Sequence, residues 1–309
     1  MKIIIKTLTP VHIGSGKEIS PTEYLVEDGY FYRINLNSLF ADPDFQNLSE
    51  KFIDSALHTR YLGDLIPKEF LKKHILYSLP ITGKAKEYLK TNKTIVKEFI
   101  KTAGKVFIPG SSLKGSILSA IFYHILKENF STNEEFILKN LQFPKKDKYE
   151  DFLNFVFSRL AKDSTLKRFT FTRWLDVTDS NTKNPSEVLQ ISLAKVKGSK
   201  SGKELPILYE TLKVNVEFTT EIKSQNTIFK EEEILSIVDN FYKKVLAKDK
   251  NQIKTNEILI RLGQGVTAYA TSCLILAEEL RISYPIRPPT TRKRIDEILP
   301  MGWVKIQKG

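Results

Sequence analysis

The sequence predicts an α+β fold, and three observations carry that prediction. Apolar and polar residues alternate in separated stretches at 2–8, 168–177, 188–196, 209–222 and 303–306, the period of a half-buried strand. Helical periodicity fills the intervals. The two kinds of segment do not follow each other in the steady strand–helix order of a doubly wound sheet, which favours antiparallel hairpins with helices on one face.

The elements follow in order. Residues 2–8 read as a strand whose apolar run, Ile3 to Ile5, is interrupted by Lys6, so it does not read as a secretory leader. The strand opens into a glycine loop, His12-Ile13-Gly14-Ser15-Gly16-Lys17. Asp28-Gly29 between apolar and aromatic flanks is a strong hairpin signal. From about 36 to 103 the pattern turns helical: Phe52, Ala56 and Leu57 share a face, as do Phe70, Leu71 and Ile75, and Pro67 suits a first helical turn. Sheet-like segments resume afterwards, so this stretch reads as a helical insertion.

The most informative segment is Phe107-Ile108-Pro109-Gly110-Ser111-Ser112-Leu113-Lys114-Gly115-Ser116, running into a helix to about Glu128. A short strand meets a glycine break, and the serines are placed to cap the helix. Its first amides then face outward, where a phosphate is attracted, with Lys114 beside them. The separation of Gly110 and Gly115 matches a nucleotide-binding P-loop, but the lysine precedes the second glycine instead of following it. Neither lysine nor hydroxyl is then placed for phosphate and magnesium. A purely structural turn before a core helix explains the same residues.

Further on, 149–160 carries phenylalanines at helical spacing, as core residues do. In 167–174 the aromatics stand where an RRM places base-stacking residues, although Arg168 and Thr170 replace its small ones. A half-buried strand burying Phe169 and Phe171 accounts for that pattern equally. The basic stretch 197–203 is a solvated linker or a loop that orders on RNA. A helix from about 230 to 246 begins acidic and ends basic, complementing its dipole. Arg261-Leu262-Gly263-Gln264-Gly265 is a third glycine loop, feeding a helix that buries Cys273, and 285–294 is proline-stiffened and basic.

The 309 residues carry 48 Lys+Arg against 36 Asp+Glu, a formal charge of +12 and a pI near 9.4. That balance favours a polyanionic partner, nucleic acid before an acidic membrane surface. One cysteine excludes an intrachain disulfide and a cysteine-based zinc site. No run reaches the length of a membrane span, and a cytoplasmic location is expected. The four histidines show no metal-ligand spacing, so no metal and no cofactor are expected. His12 alone could serve as a general base, and nothing in the sequence pairs it with a second acid–base group. Asp42 and Asp44, in Ala-Asp-Pro-Asp, read as turn formers. Three glycine segments, each with Lys or Arg alongside, fit a protein that grips a polyanionic backbone. The candidate contacts are His12, Gly14, Ser15, Gly16 and Lys17; Ser111, Ser112, Lys114, Gly115 and Ser116; and Arg261, Gly263, Gln264 and Gly265.

The order Thr9-Pro10-Val11-His12-Ile13-Gly14-Ser15-Gly16, then Ile108 to Ser116, then Gly263-Gln264-Gly265, with Leu299-Pro300-Met301-Gly302-Trp303-Val304-Lys305 closing the chain, resembles the RAMP superfamily of CRISPR systems. Within it the chain is similar to the type III-A effector subunits that sit at the 3′ end of the guide RNA. The resemblance implies a ferredoxin-like, RRM-related core with helical insertions and a second, degenerate ferredoxin-like half. The domains would be 1–205, with the insertion at 36–103, and 206–309. It implies an RNA-binding structural role, with crRNA and neighbouring backbone subunits as partners and no membrane. It also implies a part in crRNA maturation, through a recruited nuclease. The alternatives are a metal-independent endoribonuclease using His12, and a phosphate or nucleotide binder using the Gly110 loop.

Overall fold

Lys2–Thr7 (β1) buries Ile3, Ile5 and Thr7 and leaves Lys2, Ile4 and Lys6 toward solvent, as its period-2 pattern requires. In this computed structural model the described residues are 1–58, 60–142, 152–153, 155–156, 173–197, 204–225, 229–248, 253, 255–289, 293–296 and 299–309. The further strands are β2 (Gly14–Ile19), β3 (Tyr24–Glu27), β4 (Tyr30–Ile34), β5 (Ile75–Pro80), β6 (Val96–Phe99), β7 (Lys101–Thr102), β8 (Lys105–Val106), β9 (Leu175–Val177), β10 (Leu189–Lys197), β11 (Glu204–Leu212), β12 (Glu217–Ser224), β13 (Ile258–Arg261), β14 (Arg294–Ile295), β15 (Leu299–Pro300) and β16 (Trp303–Lys308).

One sheet has the order β13-β16-β1-β12-β9 and is antiparallel throughout. Its inner face packs against the helices Gly110–Glu128 and Glu231–Lys248, which bury Ile117, Ile121, Ile234 and Phe241. Its outer face is charged and ion-paired, with Lys6 to Glu217 at 3.0 Å and Lys305 to Glu257 at 2.5 Å. A second sheet runs β15-β14-β10-β11-β6-β2, with β6 and β11 parallel, and a third is β3-β4-β5. The fold is α+β, and the Asp28-Gly29 hairpin forms with both residues at positive φ, 50° and 82°, the backbone of a type I′ turn.

Several expectations are corrected. The alternation across 209–222 is two strands, not one: β11 ends at Leu212, the chain turns through Asn215 at φ 65°, and β12 enters the other sheet. The Thr7 hydroxyl clamps the crossing, donating to Lys213 O at 2.6 Å and accepting from Val216 N at 2.9 Å. Alternation continues through the turn because Val214 and Val216 are apolar, and a polarity pattern carries no record of chain direction. The segment 36–103 is not wholly helical. It holds helices Leu36–Ala41, Ser49–Leu57, Leu62–Leu65, Lys68–Lys72 and Gly83–Thr91, but also β5, β6 and β7. Ile75 belongs to β5, paired with Ile34, and not to a helix face shared with Phe70 and Leu71.

A division at 205/206 falls inside β11, which pairs with β10 across that boundary, and both large sheets take strands from either side. Cys273 sits between the helices Ala268–Thr271 and Leu274–Leu280, where burial pushes its thiol up to about 12, so it is an inert packing group. Most of 149–160, the aromatic stretch 167–172 and the basic loop 198–203 lie outside the described residues. Trp174, at the end of that stretch, is buried. Among the described residues no helix is long and apolar enough to cross a membrane.

Candidate nucleic-acid interface

The first and third glycine segments, from opposite ends of the chain, are woven together by main-chain hydrogen bonds. Leu8 N and Thr9 N donate to Trp303 O at 3.0 and 3.2 Å, and Gly302 N donates to Pro10 O at 3.0 Å. Trp303 N donates to the Thr9 hydroxyl at 2.9 Å. Gln264 N donates to His12 O at 2.8 Å. Gly263 makes this approach possible: its φ is +67°, and a Cβ there would overlap the His12 carbonyl oxygen. Only glycine accepts both conditions at small cost.

Gly14 to Lys17 forms a bulge within an edge strand, not a free loop. The pairing of β2 with β6 slips between Gly14 and Glu18, and such bulges re-aim side chains at sheet edges. The Ser15 hydroxyl donates to Glu98 Oε2 at 3.1 Å and accepts from Lys17 N at 3.1 Å, while Lys17 itself is exposed.

The Gly110 segment differs most from its sequence reading. The helix begins at Gly110, so Ser111 and Ser112 lie in its first turn and cap nothing. Gly110 N donates to Asp179 Oδ1 at 2.7 Å, and Ser112 N and Leu113 N turn back to Pro109 O. An acidic side chain therefore holds the amide that the sequence offered to a phosphate, which also suits the helix dipole. Gly110 is pressed against β9, where a Cβ would overlap Val177 O. Ser116 donates to Arg261 O at 2.9 Å, tying this helix to the strand that leads into the third glycine segment. Ser111 and Gly115 are exposed, Lys114 is half-buried, and a Cβ on Gly115 would meet nothing within 4 Å.

Beside the weave opens a cleft of about 470 Å³, lined by His12, Gly14, Gly16, Lys17, Lys97, Tyr209, Gln264 and Lys293 among others. Lys293 Nζ reaches Tyr209 Oη at 3.0 Å and Gln264 Oε1 at 2.7 Å, lying over the tyrosine ring. Lys97 pairs with Glu18. Sequence reasoning missed Lys97, Tyr209 and Lys293; the basic character of 285–294 was the available signal for the last.

His12 is only 2% exposed, wedged against Phe99 and Tyr209, and its Nδ1 lies 2.7 Å from Glu210 O. Burial lowers its pKa to about 4, so the ring is neutral at pH 7. A carbonyl can only accept, so Nδ1 carries the proton and Nε2 is left as an acceptor. Arg261 is 1% exposed, its Nε donates to Met301 O at 3.1 Å and its guanidinium covers Trp303. That side chain braces the core and does not face solvent, a correction to its reading as an RNA contact.

Beneath the cleft, fully buried Glu210 accepts from Tyr77 Oη at 2.7 Å, Phe99 N at 2.9 Å and Lys101 Nζ at 2.6 Å. Burial, with the Glu210 charge beside it, pushes the Tyr77 hydroxyl far up. Elsewhere Asp42 Oδ1 accepts from Asp44 N at 2.9 Å, the turn its sequence predicts. Among the described residues no three His, Cys, Asp or Glu side chains gather as metal ligands.

The class follows from the comparisons. The model of the RAMP superfamily matches residues 4–267, and the chain belongs to that superfamily. Two curated relatives carry the name CRISPR system Cms protein Csm5. The one from Methanocaldococcus jannaschii is 30% identical over 135 residues, 42% of this chain and 32% of the relative. The one from Streptococcus thermophilus is 29% identical over 161 residues, 48% of this chain and 44% of the relative. The matched segments thus span less than half the length of either relative. Among solved structures, a chain of a Csm–crRNA–target RNA ternary complex from a type III-A CRISPR-Cas system superposes with a TM-score of 0.73 at 22% identity, covering 99% of this chain and 100% of that one. Csm5 of T. onnurineus superposes with a TM-score of 0.68 at 21% identity, covering 98% and 99%. These likenesses show the fold.

Proposed function

We propose that the chain is an RNA-binding structural subunit of a type III-A CRISPR ribonucleoprotein. It binds the 3′ part of the crRNA, docks on neighbouring Csm subunits and supports crRNA maturation in antiviral defence, where trimming falls to a recruited nuclease. The observation that carries the reading is the weave of the first and third glycine segments beside a cleft with Lys17, Lys97 and Lys293 on its walls. Ammonium groups around exposed backbone suit phosphate contacts, which position an RNA without reading its sequence. The named relatives and the superposed Csm–crRNA complex support the same assignment.

The geometry of His12 argues against intrinsic cleavage. Its ring is packed between two aromatic residues, and its Nδ1 is bonded to the Glu210 main-chain carbonyl and not to an acid–base side chain. The Asp179 carboxylate at Gly110 N likewise disfavours a nucleotide there.

The test is to purify the chain with its natural associates and sequence the bound RNA. Short RNAs sharing a constant repeat-derived 5′ tag should co-purify, and the isolated chain should not cut labelled RNA in EDTA. An RNA-free preparation that binds none even with its partners refutes the reading; cleavage lost in His12→Ala would make the protein a nuclease.

A further inference from the structure

The segment 36–64 has a chemistry opposite to the rest of the molecule. It holds five acidic residues (Asp42, Asp44, Glu50, Asp54 and Asp64) against two basic ones (Lys51 and Arg60), in a chain whose formal charge is +12. Of the helix Ser49–Leu57, no residue whose burial is described is buried. Ile53 and Leu57, one turn apart, are 55% and 75% exposed, and Phe40 is 48% exposed. The Phe40, Phe45 and Phe52 rings lie 5.0 to 5.8 Å from one another, so the three aromatics form a cluster at the surface. Arg60 and His58 both reach the Asp54 carboxylate.

Exposed apolar residues grouped in this way, with polar residues around them, mark an interaction surface. The carboxylates decide what covers it. An RNA backbone is repelled by this face, and water leaves Ile53 and Leu57 unsheltered. We propose that this face is a docking surface for another protein subunit of the complex, one that presents an apolar helix face flanked by Lys and Arg. The apolar side chains would seat against Phe40, Ile53 and Leu57, and its cations against Asp44 and Glu50, both exposed. Such pairing steers encounter and fixes orientation more than it adds affinity. The RNA and the protein partner are thereby received on chemically separate parts of the chain.

The assembly is taken from the proposed function, and the test separates the two claims. A photo-crosslinking benzoylphenylalanine replaces Leu57, and the complex is reconstituted from the full chain, its crRNA and its separately purified protein subunits. The crosslink should reach a different protein subunit, in a peptide rich in Lys and Arg, and fall at least tenfold when Ile53→Glu is added. Circular dichroism and the unfolding midpoint of the Ile53→Glu chain should match wild type, because the position is solvent-facing. A crosslink to RNA, to a second copy of the chain or to nothing overturns the inference. The RNA content of the same complex reports on the proposed function independently.

Discussion

The glycine weave and the helical segment 36–64 solve the same problem in opposite ways. The weave joins Pro10–His12 to Leu262–Trp303 through main-chain hydrogen bonds between the two ends of the chain. Beneath it Glu210 is fully buried and fully bonded. The helical segment rests on nearby contacts: Tyr61 accepts from Val26 N at 2.6 Å, and His74 bridges Ser38 and Asp42. A surface that must hold an extended polyanion gains from long-range rigidity, since positioned groups bind without an ordering cost. A surface that meets another protein can remain peripheral, because the partner completes its burial.

The comparison breaks most visibly at Glu210. Glu210→Ala removes one buried partner of the Lys101 ammonium, which keeps Phe99 O at 3.2 Å, and takes from Tyr77 Oη and Phe99 N the carboxylate they donate to. Stripping one side of a buried pair costs about 3–5 kcal/mol, and urea unfolding of the variant should show a loss of that size together with weakened RNA binding. A loss below 1 kcal/mol would mean that the network is solvated and does not brace the cleft.

A second break comes with pH. The folded pKa of His12, about 4, lies below the ordinary 6.5 of the unfolded chain. Between those values the unfolded state binds the proton and the folded state does not. Stability from the neutral ring is therefore full above about 6.5 and is lost as pH falls, by about 3 kcal/mol once pH 4 is reached. His12→Asn keeps a donor for the Glu210 carbonyl and cannot titrate. The difference in unfolding free energy between wild type and His12→Asn should be flat above pH 6.5 and drift against wild type below it. Parallel curves would place His12 in contact with water.

The smallest effects sharpen the comparison at Lys114 and Gly115, on the exposed flank of the Gly110–Glu128 helix. Gly115→Ala fills open space in a helix interior and should raise stability by about 0.5–1 kcal/mol. If RNA passes over this turn, the same change should weaken its binding. Lys114→Ala should leave stability nearly unchanged, weaken binding of all sequences alike and lower the salt dependence by about one counterion. Unchanged affinity and salt slope in both variants, measured in the assembled complex, would remove this turn from the interface.

Much of this molecule was legible in its residues. The α+β class, the Asp28-Gly29 hairpin, the helices at Gly110–Glu128 and Glu231–Lys248 and the terminal strands all follow from periodicity and turn chemistry. The glycine segments and their basic neighbours could also be picked out, together with the polyanion-seeking charge. These features depend on residues a few positions apart, so sequence order already contains their physics. Only the tertiary structure decided that Asp179 takes the Gly110 amide, that Arg261 stacks inward on Trp303, that Lys293 meets Gln264 and Tyr209, and that the chain changes sheets at Asn215. Each of those outcomes turns on a partner distant in sequence or on backbone direction, and polarity patterns record neither.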